Sequence, residues 1–135
     1  MIYLDTSVVL PLFFTDAHAP RVRAWLSRVT APSVISPWTV AEFSSAAAGH
    51  ARMGRLADGD WVRAEAAFDI WAAGLQKAPV LTADFDMARN LIRRDRTRLR
   101  TPDALHLAIA RRLDIALATL DGALAEAARQ VGVLV

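Results

Sequence analysis

Hydrophobic positions along the 135-residue chain change period repeatedly. Ile2-Tyr3-Leu4 is a short, continuous apolar run and predicts a buried first strand. Ser7 to Phe14 reads as a short apolar helix that Pro11 limits or kinks. From Pro20 to Val29, Val22, Trp25, Leu26 and Val29 recur at helical spacing between Arg21, Arg23 and Arg28. Pro32 and Pro37 bracket a β-like run, Val34-Ile35-Ser36. A helix fits Thr39 to Met53, with Gly54 ending it. Asp58 to Lys77 carries the longest helical pattern, marked by Trp61, Ala64, Phe68, Trp71 and Leu75. Pro79-Val80-Leu81 reads as a very short strand, and Phe85 to Arg96 as a helix. Thr101-Pro102 is a helix start, since Thr caps and Pro suits the first helical position; that helix runs to about Arg112. Ile115 to Thr119 carries no charge, as expected of a central parallel strand. Asp121 opens a last helix to Gln130, and Val133-Leu134-Val135 reads as a final edge strand.

Strands alternating with helices imply a three-layer α/β/α fold with a central, mainly parallel sheet of about five strands. There is no linker, low-complexity tract or internal repeat, so residues 1–135 are expected to form a single domain. In such sheets ligands sit beyond the carboxyl ends of the strands, near the point where strand order reverses.

Composition narrows the chemistry. The chain is 54% hydrophobic, too apolar for a disordered tail. It has no cysteine, which removes disulfides, thiolate zinc sites and thiol nucleophiles together and suits a reducing compartment. The start, Met-Ile-Tyr-Leu-Asp, lacks a basic n-region, so no signal peptide is expected there. No run of about 18 apolar residues is free of charge, so no membrane span is expected and a cytoplasmic protein is. A net charge of +2 says little about nucleic acid. The positive charge is nevertheless almost all arginine, Lys77 being the single lysine, and arginine is the better bidentate phosphate ligand. His18, His50 and His106 show no zinc-type spacing.

The acids fall at telling places. Asp5 ends the first predicted strand and Asp121 follows the Ile115–Thr119 strand, which puts both on one rim of the sheet. Asp103 lies in the first turn of its helix. Glu42 lies among Val40, Ala41 and Phe43, an apolar setting in which an acid needs a reason. Singly, each has a structural reading. Asp5 and Asp121 suit helix N-caps, Asp103 suits the positive end of a helix dipole, and Thr39-x-x-Glu42 matches a capping box. Together, carboxylates on one rim repel one another, and magnesium or manganese, which prefer oxygen ligands, relieves that repulsion. One or two such ions activate water for in-line attack on phosphorus.

With these residues in place the chain resembles the PIN-domain ribonucleases, in particular VapC-type toxins of type II toxin–antitoxin pairs. The resemblance rests on Ile2-Tyr3-Leu4-Asp5-Thr6-Ser7, Val40-Ala41-Glu42-Phe43, Thr101-Pro102-Asp103-Ala104-Leu105-His106-Leu107-Ala108 and Ala118-Thr119-Leu120-Asp121, in that order. It implies a Mg2+- or Mn2+-dependent endoribonuclease that cleaves RNA. Asp5, Glu42, Asp103 and Asp121 match the family's catalytic and metal-binding acidic quartet. Thr6, Ser7 and Thr119 match polar residues that support the metal or its waters. It also implies inhibition by a cognate, VapB-like antitoxin, and a homodimer.

Arg89, Arg93, Arg94, Arg96, Arg98 and Arg100 form the densest basic run. Two readings stand side by side: a solvated helix face, or a phosphate-tracking stripe in which Arg89, Arg93, Arg96 and Arg100 lead RNA toward Asp103. His106, one turn after Asp103, is either near the site or a buried, hydrogen-bonded side chain. The Trp61/Phe68/Trp71/Leu75 stripe is most simply core; part of it, with Trp38 and Phe43, is also a candidate groove for a partner helix. Two other classes compete. A haloacid-dehalogenase-like phosphatase would use Asp5 as nucleophile, but needs a second Asp where Ser7 stands. A non-catalytic RNA- or protein-binding module would leave the acids as caps. The absence of a Gly-rich phosphate loop speaks against a nucleotide-dependent enzyme.

Overall fold

The computed structural model describes residues 1–55, 57–94 and 98–135. Among them the strands are β1 (Ile2–Leu4), β2 (Ser33–Ile35), β3 (Gln76–Lys77) and β4 (Ala116–Ala118). The helices are α1 (Thr6–Phe13), α2 (Ala19–Leu26), α3 (Pro37–Arg52), α4 (Asp58–Ala73), α5 (Thr82–Arg94), α6 (Thr101–Leu113) and α7 (Gly122–Gln130). The sheet runs β3-β2-β1-β4 with every pairing parallel. Tyr3 aligns with Val34 on one side and Leu117 on the other.

The period of two along each strand divides the core. Tyr3, Val34 and Leu117 point to one face, where they pack with residues of α5, α6 and α7 such as Ala88, Leu105, Ile109 and Leu124. Leu4 and Ile35 point to the other, where they meet Val9, Phe43, Ala47, Phe68 and Ala72. The result is the expected α/β/α sandwich. Phe68 stacks on Phe43 with ring centroids 3.8 Å apart, and Phe13 meets both edge-on. The aromatic stripe of α4 is therefore core, and Phe43, fully buried, lines no partner groove.

Four described strands stand where about five were expected. Val133-Leu134-Val135 forms no strand, although Leu117 N donates to Leu134 O at 2.8 Å, a single bond at the sheet's β4 edge. The strand expected at Pro79-Val80-Leu81 lies earlier, at Gln76–Lys77. Both of its residues are exposed, so this edge strand carries no apolar signature, and Pro79 has no N–H to give a ladder. Thr101 is the first residue of α6 rather than its cap, which is Arg100.

Chain order fixes where the site falls. The chain builds outward from β1 through β2 to β3, then crosses back to place β4 on the other side of β1. Strand order therefore reverses between β1 and β4, and the crevice beyond their carboxyl ends is where such sheets bind ligands.

Candidate active site

Asp5 follows directly on β1, and its own N–H donates to Ala118 O at the end of β4. It caps α1, accepting from Ser7 N at 3.1 Å. Ser7 Oγ and Thr119 Oγ1 both donate to Asp5 Oδ2, at 2.7 and 2.5 Å. The same two hydroxyls accept from Leu120 N and Asp121 N. The turn after β4 is thus stitched to the start of α1. Asp121 caps α7, accepting from Leu124 N at 2.9 Å. Both cap readings hold, and capping is what sets these two carboxylates at the crevice.

Glu42 is not part of a cap. The capping box of α3 is one turn earlier, with Ser36 as N-cap and Thr39 as its reciprocal partner. Glu42 instead accepts from Thr6 Oγ1 at 2.7 Å and lies 2.5 Å from His106 Nε2, both through Oε2. Asp103, in the first turn of α6, takes Arg100 Nε at 3.0 Å, and Arg100 Nη2 reaches Asp121 Oδ2 at 3.7 Å. One guanidinium therefore bridges two of the four predicted acids. His106 Nε2 is also 3.6 Å from Asp5 Oδ1. Asp5, Glu42, Asp103 and Asp121 are thus linked through Thr6, Ser7, Thr119, His106 and Arg100 into one polar rim.

Burial shapes the charge of this rim. Desolvation raises Asp103, Arg100 lowers it, and Asp121 and Asp5 raise it again; the balance leaves it above the usual aspartate value. Desolvation raises Glu42 too, but His106 and Thr6 bonded to it leave it below the usual glutamate value. Hydrogen bonding to Asp103 raises Arg100 further. Burial pushes the Tyr3 hydroxyl up to about 12, against the opposing hydrogen bonds of Ser36 and Thr39.

The residues that sequence reasoning undervalued are Tyr3, Ser36 and Thr39, which with His106 form a buried hydroxyl–imidazole cluster behind the acids. Their only signal was chemical: the single tyrosine of the chain is fully buried in β1, where its hydroxyl needs a partner. Asp84 is buried and accepts from Leu81 N and Arg112, tying α5 to α6 away from the rim.

Of the arginine run, Arg89 and Arg93 border a groove between α5 and the start of α6, shared with Phe85, Ile92, Thr101 and Leu105. Arg96 lies outside the described residues. Among the described residues, no three His, Asp or Glu side chains are arranged to hold an ion. The donor set nevertheless suits a hard divalent cation: carboxylate oxygens with hydroxyls behind them. Asp103 and Asp121 already share a positive group in Arg100.

Fold and site together define a doubly wound α/β domain with a carboxylate rim at its switch point. The sequence matches the PIN domain over residues 2–130, and the chain belongs to that family. No curated protein matches it. Among solved structures, it is similar to Mycobacterium tuberculosis VapC20, described as a sarcin–ricin loop cleaving toxin. Identity there is 21%, over 94% of this chain and 95% of that one, with a TM-score of 0.75. It is similar to FitAcB from Neisseria gonorrhoeae at 22% identity, over 99% and 95%, with a TM-score of 0.76. A toxin–antitoxin complex from Klebsiella pneumoniae matches at 16% identity, over 100% and 96%, with a TM-score of 0.71. These likenesses establish a shared fold.

Proposed function

We propose that residues 1–135 form one PIN domain acting as a metal-dependent endoribonuclease, the toxin of a toxin–antitoxin pair. The observation that carries this reading is the convergence of acids from four separate chain segments, Asp5, Glu42, Asp103 and Asp121, on the β1/β4 switch point. Their charge is only partly met by protein cations, which is the condition a divalent ion relieves.

In this reading Asp5, Asp103, Asp121 and Glu42 hold one or two Mg2+ or Mn2+ ions. Such an ion lowers the pKa of bound water and neutralises charge on the phosphate oxygens. The chain's own groups do the positioning. Ser7 and Thr119 fix Asp5 in one rotamer. Thr6 and His106 take Glu42 Oε2, which leaves Oε1 to accept a proton from the attacking water. Arg100, Arg93 and Arg89 bind backbone phosphates, with Arg96 a further candidate from the sequence. The Asp5-nucleophile alternative fits poorly, because both Asp5 oxygens already accept hydrogen bonds.

Family membership and toxin–antitoxin neighbours support an antitoxin partner of the VapB kind. We extend the reading to a homodimer and to a cytoplasmic location; no helix among the described residues is long and apolar enough to cross a membrane.

The test is cleavage of a structured RNA by the purified chain. Mn2+ or Mg2+ supports cleavage and EDTA abolishes it. Asp5→Asn removes cleavage while the protein still melts cooperatively. Undiminished cleavage by that variant overturns the mechanism.

A further inference from the structure

His106 is nearly inaccessible, its side chain 1% exposed, yet each ring nitrogen is engaged by a residue from another part of the chain. Nδ1 lies 2.9 Å from the hydroxyl of Tyr3 in β1. Nε2 lies 2.5 Å from Glu42 Oε2 in α3 and 3.2 Å from Thr6 Oγ1 in α1. The Tyr3 hydroxyl is in turn 2.7 Å from Ser36 Oγ, the cap of α3. A single imidazole thus joins β1, α1, α3 and α6, which otherwise pack into two separate core clusters on opposite faces of the sheet.

The hydrogen-bond inventory fixes direction. A carboxylate only accepts, so the bond to Glu42 needs a hydrogen on Nε2. Nδ1 is satisfied by Tyr3, whose hydroxyl serves as donor or acceptor. A glutamate side chain free to rotate loses rotamer entropy when it is fixed. Two converging donors on one oxygen, Thr6 and His106, bring that cost forward into folding. Glu42 then presents its second oxygen to the rim without further ordering.

We propose that His106, set by Tyr3, is a positioning residue that holds Glu42 in place for the divalent ion and the attacking water. The inference rests on the metal-dependent reading above. In this reading His106 acts chiefly through Glu42, its hydrogen-bonded acid, with Asp5 Oδ1 farther off at 3.6 Å. Partners that orient a ligand in this way typically carry about 10–100-fold of metal affinity or activity.

Four variants of the full chain test it: His106→Gln, His106→Asn, His106→Leu and Tyr3→Phe. Three quantities are read: the melting temperature, Mn2+ affinity by electron paramagnetic resonance without RNA, and kcat and KM on an RNA that wild type cleaves. Glutamine places an amide N–H where Nε2 stands; asparagine places it nearer Nδ1. His106→Gln retains Mn2+ affinity and kcat within several-fold. His106→Asn and His106→Leu lose about 10–100-fold in both, with KM within about two-fold. Tyr3→Phe falls between. In a Glu42→Gln background, His106→Leu adds little further loss, because the two act as one unit.

Wild-type Mn2+ affinity and kcat in His106→Leu, with only the melting temperature lowered, overturns the proposal and leaves a core histidine. Equal losses in the glutamine and asparagine variants overturn it as well, since the donor's position then does not matter. If His106→Leu does not fold, the glutamine–asparagine contrast decides. A wild-type chain that binds Mn2+ but cleaves no RNA overturns the ribonuclease reading alone, and the affinities still decide this one. A wild-type chain that binds no Mn2+ overturns both.

Discussion

Burial alone pushes Glu42 and Asp103 toward their protonated forms, and what each one meets in the rim decides the outcome. At Glu42 the buried donors His106 and Thr6 win, and its pKa falls below the ordinary 4.5. Such a group contributes stability that is present above its unfolded value and lost as pH falls through its folded one. Glu42→Gln should therefore flatten the acid limb of a urea-midpoint-against-pH curve below about pH 4.5, where wild type falls. A Glu42→Gln curve parallel to wild type counts against this. Asp103 behaves oppositely. Its partner Arg100 has a side chain 72% exposed, so solvent screens the pair, and burial with Asp121 and Asp5 prevails. Its folded pKa lies above the ordinary 3.8, so its contribution is full below that value and lost as pH rises through the folded one. At neutral pH without metal, Asp103 is then a strained group. Asp103→Asn should melt higher than wild type in EDTA. Mn2+ should raise the melting temperature of wild type more than that of the variant. Calorimetry with and without Mn2+ reads both, and a less stable metal-free variant refutes the assignment. These acids were legible because each sits at a strand end or in an early helix turn. His106 was half legible from its place one turn beyond Asp103, whereas nothing local in the sequence joined it to Tyr3.

Helix starts position the site, and α3 shows how the reading of an element settles the reading of a residue. Thr39-x-x-Glu42 has capping-box spacing, but the box forms between Ser36 and Thr39. Pro37 supplies the physical reason. Its fixed φ suits the first helical position, so the helix begins two residues earlier than hydrophobic periodicity suggests and Ser36 becomes the cap. Glu42 then faces the rim. Ser36→Ala removes the acceptor for Thr39 N and a partner of the buried Tyr3 hydroxyl. The expected loss is about 1–2 kcal/mol in urea unfolding, more than an exposed serine would give. A loss below a few tenths of a kcal/mol removes the cap from the argument. Strands were less legible than helices. β1 and β4 are three-residue apolar runs and β2 carries Val34-Ile35, all between two covered faces, and their composition announces them. β3 is Gln76–Lys77 at an exposed edge, where backbone pairing with β2 makes the strand and the side chains carry no signal. Val133–Val135 is the converse, with strand composition but only one described sheet bond, from Leu117.

At the scale of the molecule, a net charge of +2 resolves into a negative crevice and an arginine-bearing exterior. RNA has to approach the first across the second. Arg89 and Arg93, one helical turn apart on α5, are exposed and border a groove that Thr101, two residues before Asp103, also lines. Arg100, the residue before Thr101, is bound to Asp103 and near Asp121. A solvated helix face and a phosphate track place these side chains alike, but they differ in what salt does. Each phosphate neutralised by a cation on a single strand releases counterions and adds about −0.7 to the slope of log K against log salt. The Asp5→Asn chain, which should bind without cutting, isolates affinity from turnover. Adding Arg89→Ala and Arg93→Ala to it should weaken binding of a single-stranded oligoribonucleotide and make the slope shallower by roughly 1.4, the sum for two lost contacts. Fluorescence anisotropy across a range of salt concentrations measures both. Arg111→Ala, on the last turn of α6 and so at the far end of that helix from Asp103, serves as the control for Arg89→Ala or Arg93→Ala alone, each of which likewise removes one charge. An equal loss in slope from Arg111→Ala would mean that net charge, not the α5 track, attracts RNA. An unchanged slope in the double variant would assign the α5 arginines to solvent.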